Sequence, residues 1–161
     1  MTTPTRTAQS TQPPKEFTAA VVEEFGPNVT VRAEKLPEPG EHQALVKLEA
    51  SGICHTDLHA AEGDWPVKPE PPFIPGHEGV GRVVKLGPGE QFVNEGDLVG
   101  NAWLWSTCGE CESCLTGWET RCVKAEYGGY TVDGSFGEYM LVDTRYCACL
   151  LYTSDAADEE D

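Results

Sequence analysis

Basic residues are scarce in this chain of 161 residues: 11 Lys+Arg stand against 27 Asp+Glu, a formal net charge of −16. Nucleic acid or an anionic lipid surface would meet repulsion over most of such a molecule. Long apolar runs are missing too. No stretch approaches the roughly 20 apolar residues of a membrane helix, and no apolar segment opens the chain as a secretory signal would. Internal repeats are lacking. So is a Gly-rich phosphate turn between strand and helix, because the glycines of 76–81 (GHEGVG) and 87–89 do not open a helix. These absences argue against nucleic-acid binders, membrane proteins, repeat arrays and a nucleotide-binding fold within these residues.

What is present describes a folded, turn-rich protein of about one domain's length, 39% hydrophobic with 17 Gly and 12 Pro. Residues 1–16 (MTTPTRTAQSTQPPKE) are Thr/Pro/Gln-rich and read as a disordered leader. A transit peptide fits less well, since only Arg6 and Lys15 are basic and no amphipathic period appears. From Phe17 onward, short β-branched runs at 18–22, 44–48, 80–86, 97–103 and 137–142 are bounded by Gly and Pro. That pattern predicts a mainly β fold with short helices, most simply a β-barrel, with one helix from after Cys54 to about Ala61. Five acids fall in the last seven residues, leaving −11 for residues 1–150. The run 149–159 (CLLYTSDAADE) back-translates in frame into the transposase adapter used for sequencing libraries. Native coding sequence is therefore expected to end near Ala148, with 149–161 a non-native tail.

Cys108, Cys111, Cys114 and Cys122 follow a C-x2-C-x2-C-x7-C spacing. Four thiolates so spaced, joined by short Gly-containing loops, can converge on one tetrahedral Zn²⁺. A set of four cysteines leaves no open position, so such a zinc is structural. Disulfides are the rival reading, but cysteines three apart rarely bridge without strain, and the chain lacks a secretion signal. An iron–sulfur cluster also uses four thiolates and stays open as an alternative. Reduced cysteines point to a cytoplasmic setting.

A second cluster joins Cys54, His55, Thr56, Asp57 and His59 to His77 and Glu78, with Asp64 nearby. A catalytic zinc takes three protein ligands and leaves one position open. Cys54 and His77 supply two, and Asp57 suits the far nitrogen of His77, fixing its tautomer. Cys147 is a third candidate, but its strand-like surroundings favour a small buried thiol.

Residues 54–60 (CHTDLHA), 63–66 (GDWP), 76–81 (GHEGVG) and the four-cysteine run resemble the zinc-dependent alcohol dehydrogenases of the medium-chain dehydrogenase superfamily, closest to the tetrameric microbial and yeast type. The likeness covers about residues 17–148. Glu90 departs from the family's zinc signature, which usually ends there in a small or apolar residue.

The resemblance implies a GroES-like β-barrel carrying a structural zinc lobe over about 104–124, with the family's Rossmann domain for NAD absent from this chain. It implies two zinc ions per full-length subunit. Cys54 and His77 would be catalytic ligands, completed by a cysteine beyond this chain, and Glu78 a carboxylate that swings onto the metal. The reaction implied is reversible oxidation of primary alcohols to aldehydes by hydride transfer from a zinc alkoxide to NAD. Thr56 and His59 would relay the released proton, and His55 would contact the coenzyme pyrophosphate. Trp65 and Trp103 would narrow the pocket for short alcohols, with plain core packing as the competing reading. The implied partner is a small alcohol or aldehyde, in a homo-oligomer, tetrameric by resemblance. The fragment alone is expected to be inactive. Competing functions are a non-catalytic zinc-binding β-barrel module and a superfamily member acting on polyols, threonine or formaldehyde.

Overall fold

A computed structural model describes residues 13–150. Of the expected leader (1–16) and tail (149–161), residues 1–12 and 151–161 lie outside the described residues, while Glu16 opens the first strand and Cys149 closes the last. Strands β1 (Glu16–Val21), β2 (Thr30–Lys35) and β3 (Gln43–Ser51) precede helix α1 (His55–Glu62). Strands β4 (Gly79–Leu86), β5 (Leu98–Gly100) and β6 (Leu104–Ser106) follow, then helix α2 (Glu112–Leu115) and a 3-10 turn at Glu119–Arg121. Strands β7 (Glu126–Tyr127), β8 (Tyr139–Asp143) and β9 (Ala148–Cys149) complete the described chain.

The β-branched runs pair antiparallel in a five-stranded sheet, ordered β8-β3-β4-β5-β9. Its inner face packs Ala44, Val46, Val83, Val93, Val99, Met140 and Val142. Leu45 faces the opposite way, into a second cluster with Phe17, Ala19, Val21, Ile74 and Tyr139, as the two-residue side-chain period requires. β1 joins the segment leading into β8 through an Ala19–Gly137 bridge, with Ala20 N–H donating to Phe136 C=O at 2.8 Å. The two-stranded β1–β2 sheet is thus linked to the five-stranded sheet on its β8 side. Among the described residues there is no doubly wound α/β nucleotide-binding unit.

Two elements differ from the sequence expectation. β2 (TVRAEK) is a strand with no buried residue; it is held by pairing with β1 along its full length, so no apolar alternation marks it. The run 97–103 is not one strand. β5 ends at Gly100, and β6 pairs with β7 in a separate ribbon that leads into the four-cysteine loop.

Candidate metal centres

Cys54 is the N-cap of α1, extended at φ −136°. Its backbone N–H donates to Asp57 Oδ2 at 2.9 Å, and its Sγ accepts from Thr56 N–H at 3.4 Å, so a cysteine and an aspartate form the capping box. The sulfur therefore sits at the positive end of the helix, where negative charge is favoured. Gly63, at φ +69°, ends the helix in the left-handed conformation and turns the chain back over it.

His77 arrives from a separate turn. Gly76 precedes it at φ +99°, and a Cβ there would lie 2.5 Å from the Phe136 ring, so only glycine fits. The His77 ring is buried, and its Nδ1 donates to Asp57 Oδ1 at 3.0 Å. The Asp57 carboxylate, 5% exposed, thus holds the Cys54 backbone with one oxygen and His77 with the other. Nε2 keeps its lone pair and lies 3.6 Å from Cys54 Sγ and 3.8 Å from Glu78 Oε1. Zinc bonds of about 2.3 Å to sulfur and 2.0–2.1 Å to nitrogen, set tetrahedrally, place S and N about 3.6 Å apart. These donors fit zinc.

The four-cysteine loop also converges. Sγ separations are 3.5 Å for Cys111–Cys114, 3.5 Å for Cys108–Cys122 and 3.9 Å for Cys108–Cys114. A tetrahedral ZnS4 site needs about 3.8 Å, whereas a disulfide needs about 2.05 Å; all seven cysteines among the described residues are free. Backbone N–H groups of Glu110 and Cys111 draw the Cys108 thiol down to about 6. Cys111 is pushed up to about 11: the Cys114 N–H pulls it down, and the crowded neighbouring thiols outweigh that pull. Thiols that resist joint ionisation are reconciled by a bound cation.

Among the described residues, metal-donor groups converge in these two places, Cys108/Cys111/Cys114/Cys122 and Cys54/His77/Glu78. Cys147 joins neither. It packs against the Val46/Val142 core, and burial pushes its thiol up to about 11.

The remaining expected residues line α1 and the turn after it. His55 is exposed and Thr56 half-buried on the first turn. His59 Nδ1 bonds Asp64 Oδ2 at 2.9 Å, and its ring lies 5.9 Å from those of His55 and Trp65. Trp103 meets His77 edge-on at 5.4 Å and Trp65 at 5.8 Å. Both tryptophans are half-buried, with Tyr130 against both and Tyr127 stacked on Trp103 at 4.9 Å. They are at once the rim of a core cluster and the wall beside the histidine. Tyr127 and Tyr130, absent from the sequence reading, carry no local motif; only folding brings them there.

Residues 40–151 match the family described as Alcohol dehydrogenase GroES-like domain. An alcohol dehydrogenase of Rhizobium meliloti is 57% identical over 130 residues, 81% of this chain and 38% of that protein. A Sinorhizobium meliloti protein assigned as a zinc-binding dehydrogenase and solved with NADP superposes with TM-score 0.78 at 35% identity, over 86% of this chain and 39% of its own. A thermostable alcohol dehydrogenase of Pyrobaculum aerophilum, solved with cobalt and zinc, gives TM-score 0.78 at 31% identity, over 85% and 42%. The chain spans about two fifths of the length of the curated relatives it matches.

Proposed function

The chain belongs to the family of alcohol dehydrogenase GroES-like domains, and from that premise we propose that it forms the metal-binding part of a zinc- and nicotinamide-dependent dehydrogenase that interconverts primary alcohols and aldehydes. The observation that carries this reading is the two-handed grip of Asp57 on Cys54 and His77, which aims a thiolate and an imidazole lone pair at one point. A purely structural barrel module has no need of such a pair beside an exposed carboxylate, Glu78.

When bound there, zinc supplies a Lewis acid that makes an alcohol hydroxyl acidic, while the nicotinamide accepts hydride. Cys54 and His77 hold the metal, and Glu78 is its displaceable carboxylate. Thr56 would accept the substrate proton at Oγ1 as its own hydroxyl proton leaves along the relay, and His59 would take up that proton and release one to solvent, a task suited to an imidazole. Asp64 steadies His59 at Nδ1. His55, exposed on the first turn of α1, meets the coenzyme pyrophosphate. Trp65 and Trp103 restrict the pocket to short alcohols. Ile53 and Leu58, 77% and 52% exposed beside Cys54, support a face that the rest of the dehydrogenase covers. The assembled subunits form a homo-oligomer, and Cys108, Cys111, Cys114 and Cys122 hold a second, structural zinc.

The test uses the full-length dehydrogenase carrying this chain. His59→Gln lowers turnover about 10²-fold or more and leaves zinc content unchanged; lost zinc would give His59 a structural role instead. Trp65→Ala shifts preference along a series of primary alcohols toward longer chains, and an unchanged profile would reject the pocket role.

A further inference from the structure

Thr107, immediately before the first lobe cysteine, is 6% exposed although it stands at the edge of a largely solvent-facing loop. The strand period explains its burial. Trp105 and Thr107 point to the same side of β6 and its extension, toward β8 and the turn that follows it, while Ser106 points away and donates to Glu126. Trp105 Nε1–H donates to the Leu141 carbonyl at 3.1 Å. Thr107 Oγ1 lies 2.5 Å from the Tyr146 hydroxyl and 3.3 Å from Cys114 Sγ. The phenol is itself held in place. Tyr146 N–H donates to Asp143 C=O at 3.0 Å, and Arg145 pairs with the buried Asp143 carboxylate at 2.5 Å.

Thr107 has one hydroxyl hydrogen and two neighbours. The phenol is the more acidic donor, so it supplies the Tyr146–Thr107 bond and frees the Thr107 hydrogen for sulfur. A site of four thiolates and one Zn²⁺ carries two net negative charges, and donors to the sulfurs disperse them and orient the ligands. Successive hydrogen bonds of one direction reinforce each other.

We propose that Tyr146 and Thr107 form a two-hydroxyl support for the metal of the four-cysteine lobe, with Tyr146 O–H donating to Thr107 Oγ1 and Thr107 O–H donating to Cys114 Sγ. Thr107 and Tyr146 are positioning residues. The pair reaches across 39 residues and ties the metal to the turn between β8 and β9, so lobe and barrel are coupled through one sulfur. This role rests on the reading that Cys108, Cys111, Cys114 and Cys122 hold zinc.

The experiment measures zinc release from the 161-residue chain into excess chromogenic chelator. Thr107→Val releases zinc about 10- to 100-fold faster than wild type, Tyr146→Phe changes the rate in the same direction, and Thr107→Ser restores it. Trp105→Phe, which loses the neighbouring bond between lobe and barrel but no contact to sulfur, releases at the wild-type rate. With Co²⁺ in the lobe, the thiolate-to-metal charge-transfer band moves to longer wavelength in Thr107→Val and returns in Thr107→Ser. Equal rates for wild type, Thr107→Val and Tyr146→Phe would overturn the proposal, as would a Trp105→Phe rate matching Thr107→Val. If Thr107→Val does not fold, Tyr146→Phe and Thr107→Ser decide the question. A wild-type chain that holds no zinc contradicts the metal reading itself and removes the support role with it.

Discussion

Asp57 concentrates more of the geometry than any other side chain beside α1. It is buried, it closes the helix cap on Cys54, and it fixes the His77 ring. Replacing it by alanine strands two donors, the Cys54 N–H and the His77 Nδ1–H. The expected loss is about 2–4 kcal/mol, measurable by urea unfolding, while zinc retention by the four-cysteine lobe stays unchanged. Glu90 makes a second prediction at this scale. Its carboxylate accepts from Thr144 Oγ1 at 2.6 Å and from the N–H groups of Phe92 and Gln91 at 2.6 and 2.8 Å. Burial pulls the acid upward, but these donors outweigh it and hold the group below its ordinary value. A lowered carboxyl stabilises the fold above the unfolded-state value of about 4.5 and loses that contribution as pH falls through the folded value. Glu90→Gln should therefore lower the melting temperature at pH 7 by a few degrees, with the difference shrinking as pH falls below the ordinary carboxylate range and through the lowered folded value. The departure from the family's usual residue at this position has thus acquired its own hydrogen bonds.

At the scale of elements, the four-cysteine loop and the sheet are stabilised by different means. Between Cys108 and Ala125 only Cys122 is buried, so the loop has no apolar core to hold it, and the proposed zinc would supply that order. The sheet carries its own core of Val46, Val83, Val99 and Val142. Chelation of the metal should abolish amide-exchange protection across α2 and the following 3-10 turn, while β3, β4 and β8 keep theirs; joint loss of protection would show that the lobe is not an independent unit. The same contrast explains what could be read from the residues alone. β1, β3, β4 and β8 announce themselves by short apolar and β-branched runs between turns, and α1 is expected after Cys54, although its cysteine cap shows only in the structure. β2 lies on the surface with no buried residue, and β6, β7 and β9 are two or three residues long, too short for any period to register. The cysteine spacing pointed to a common centre because its loops are local. The hold of Asp57 on His77 is expected from the chemistry of a metal-ligating histidine and is present at 3.0 Å, whereas the Tyr127 and Tyr130 backing of the tryptophans and the Thr107–Tyr146 contact depend on pairs 24 to 65 residues apart, which no local pattern encodes.

At the scale of the whole molecule, the described chain unites one full set of four metal donors with a partial set of Cys54, His77 and Glu78. The two sets differ in chemistry. Four thiolates enclose a cation, whereas one thiolate, one imidazole and an exposed carboxylate leave it open and weakly held. With no nucleotide-binding unit among the described residues, the 161-residue chain is expected not to reduce NAD when given alcohol; measurable reduction by the purified chain would reverse that expectation. The most direct measurement is the metal content of the purified chain after exhaustive dialysis, by elemental analysis, with Cys111→Ser and Cys54→Ser variants alongside. The account predicts one zinc per chain in wild type and in Cys54→Ser, and none in Cys111→Ser. Iron in place of zinc, or zinc retained by Cys111→Ser and lost from Cys54→Ser, would contradict it.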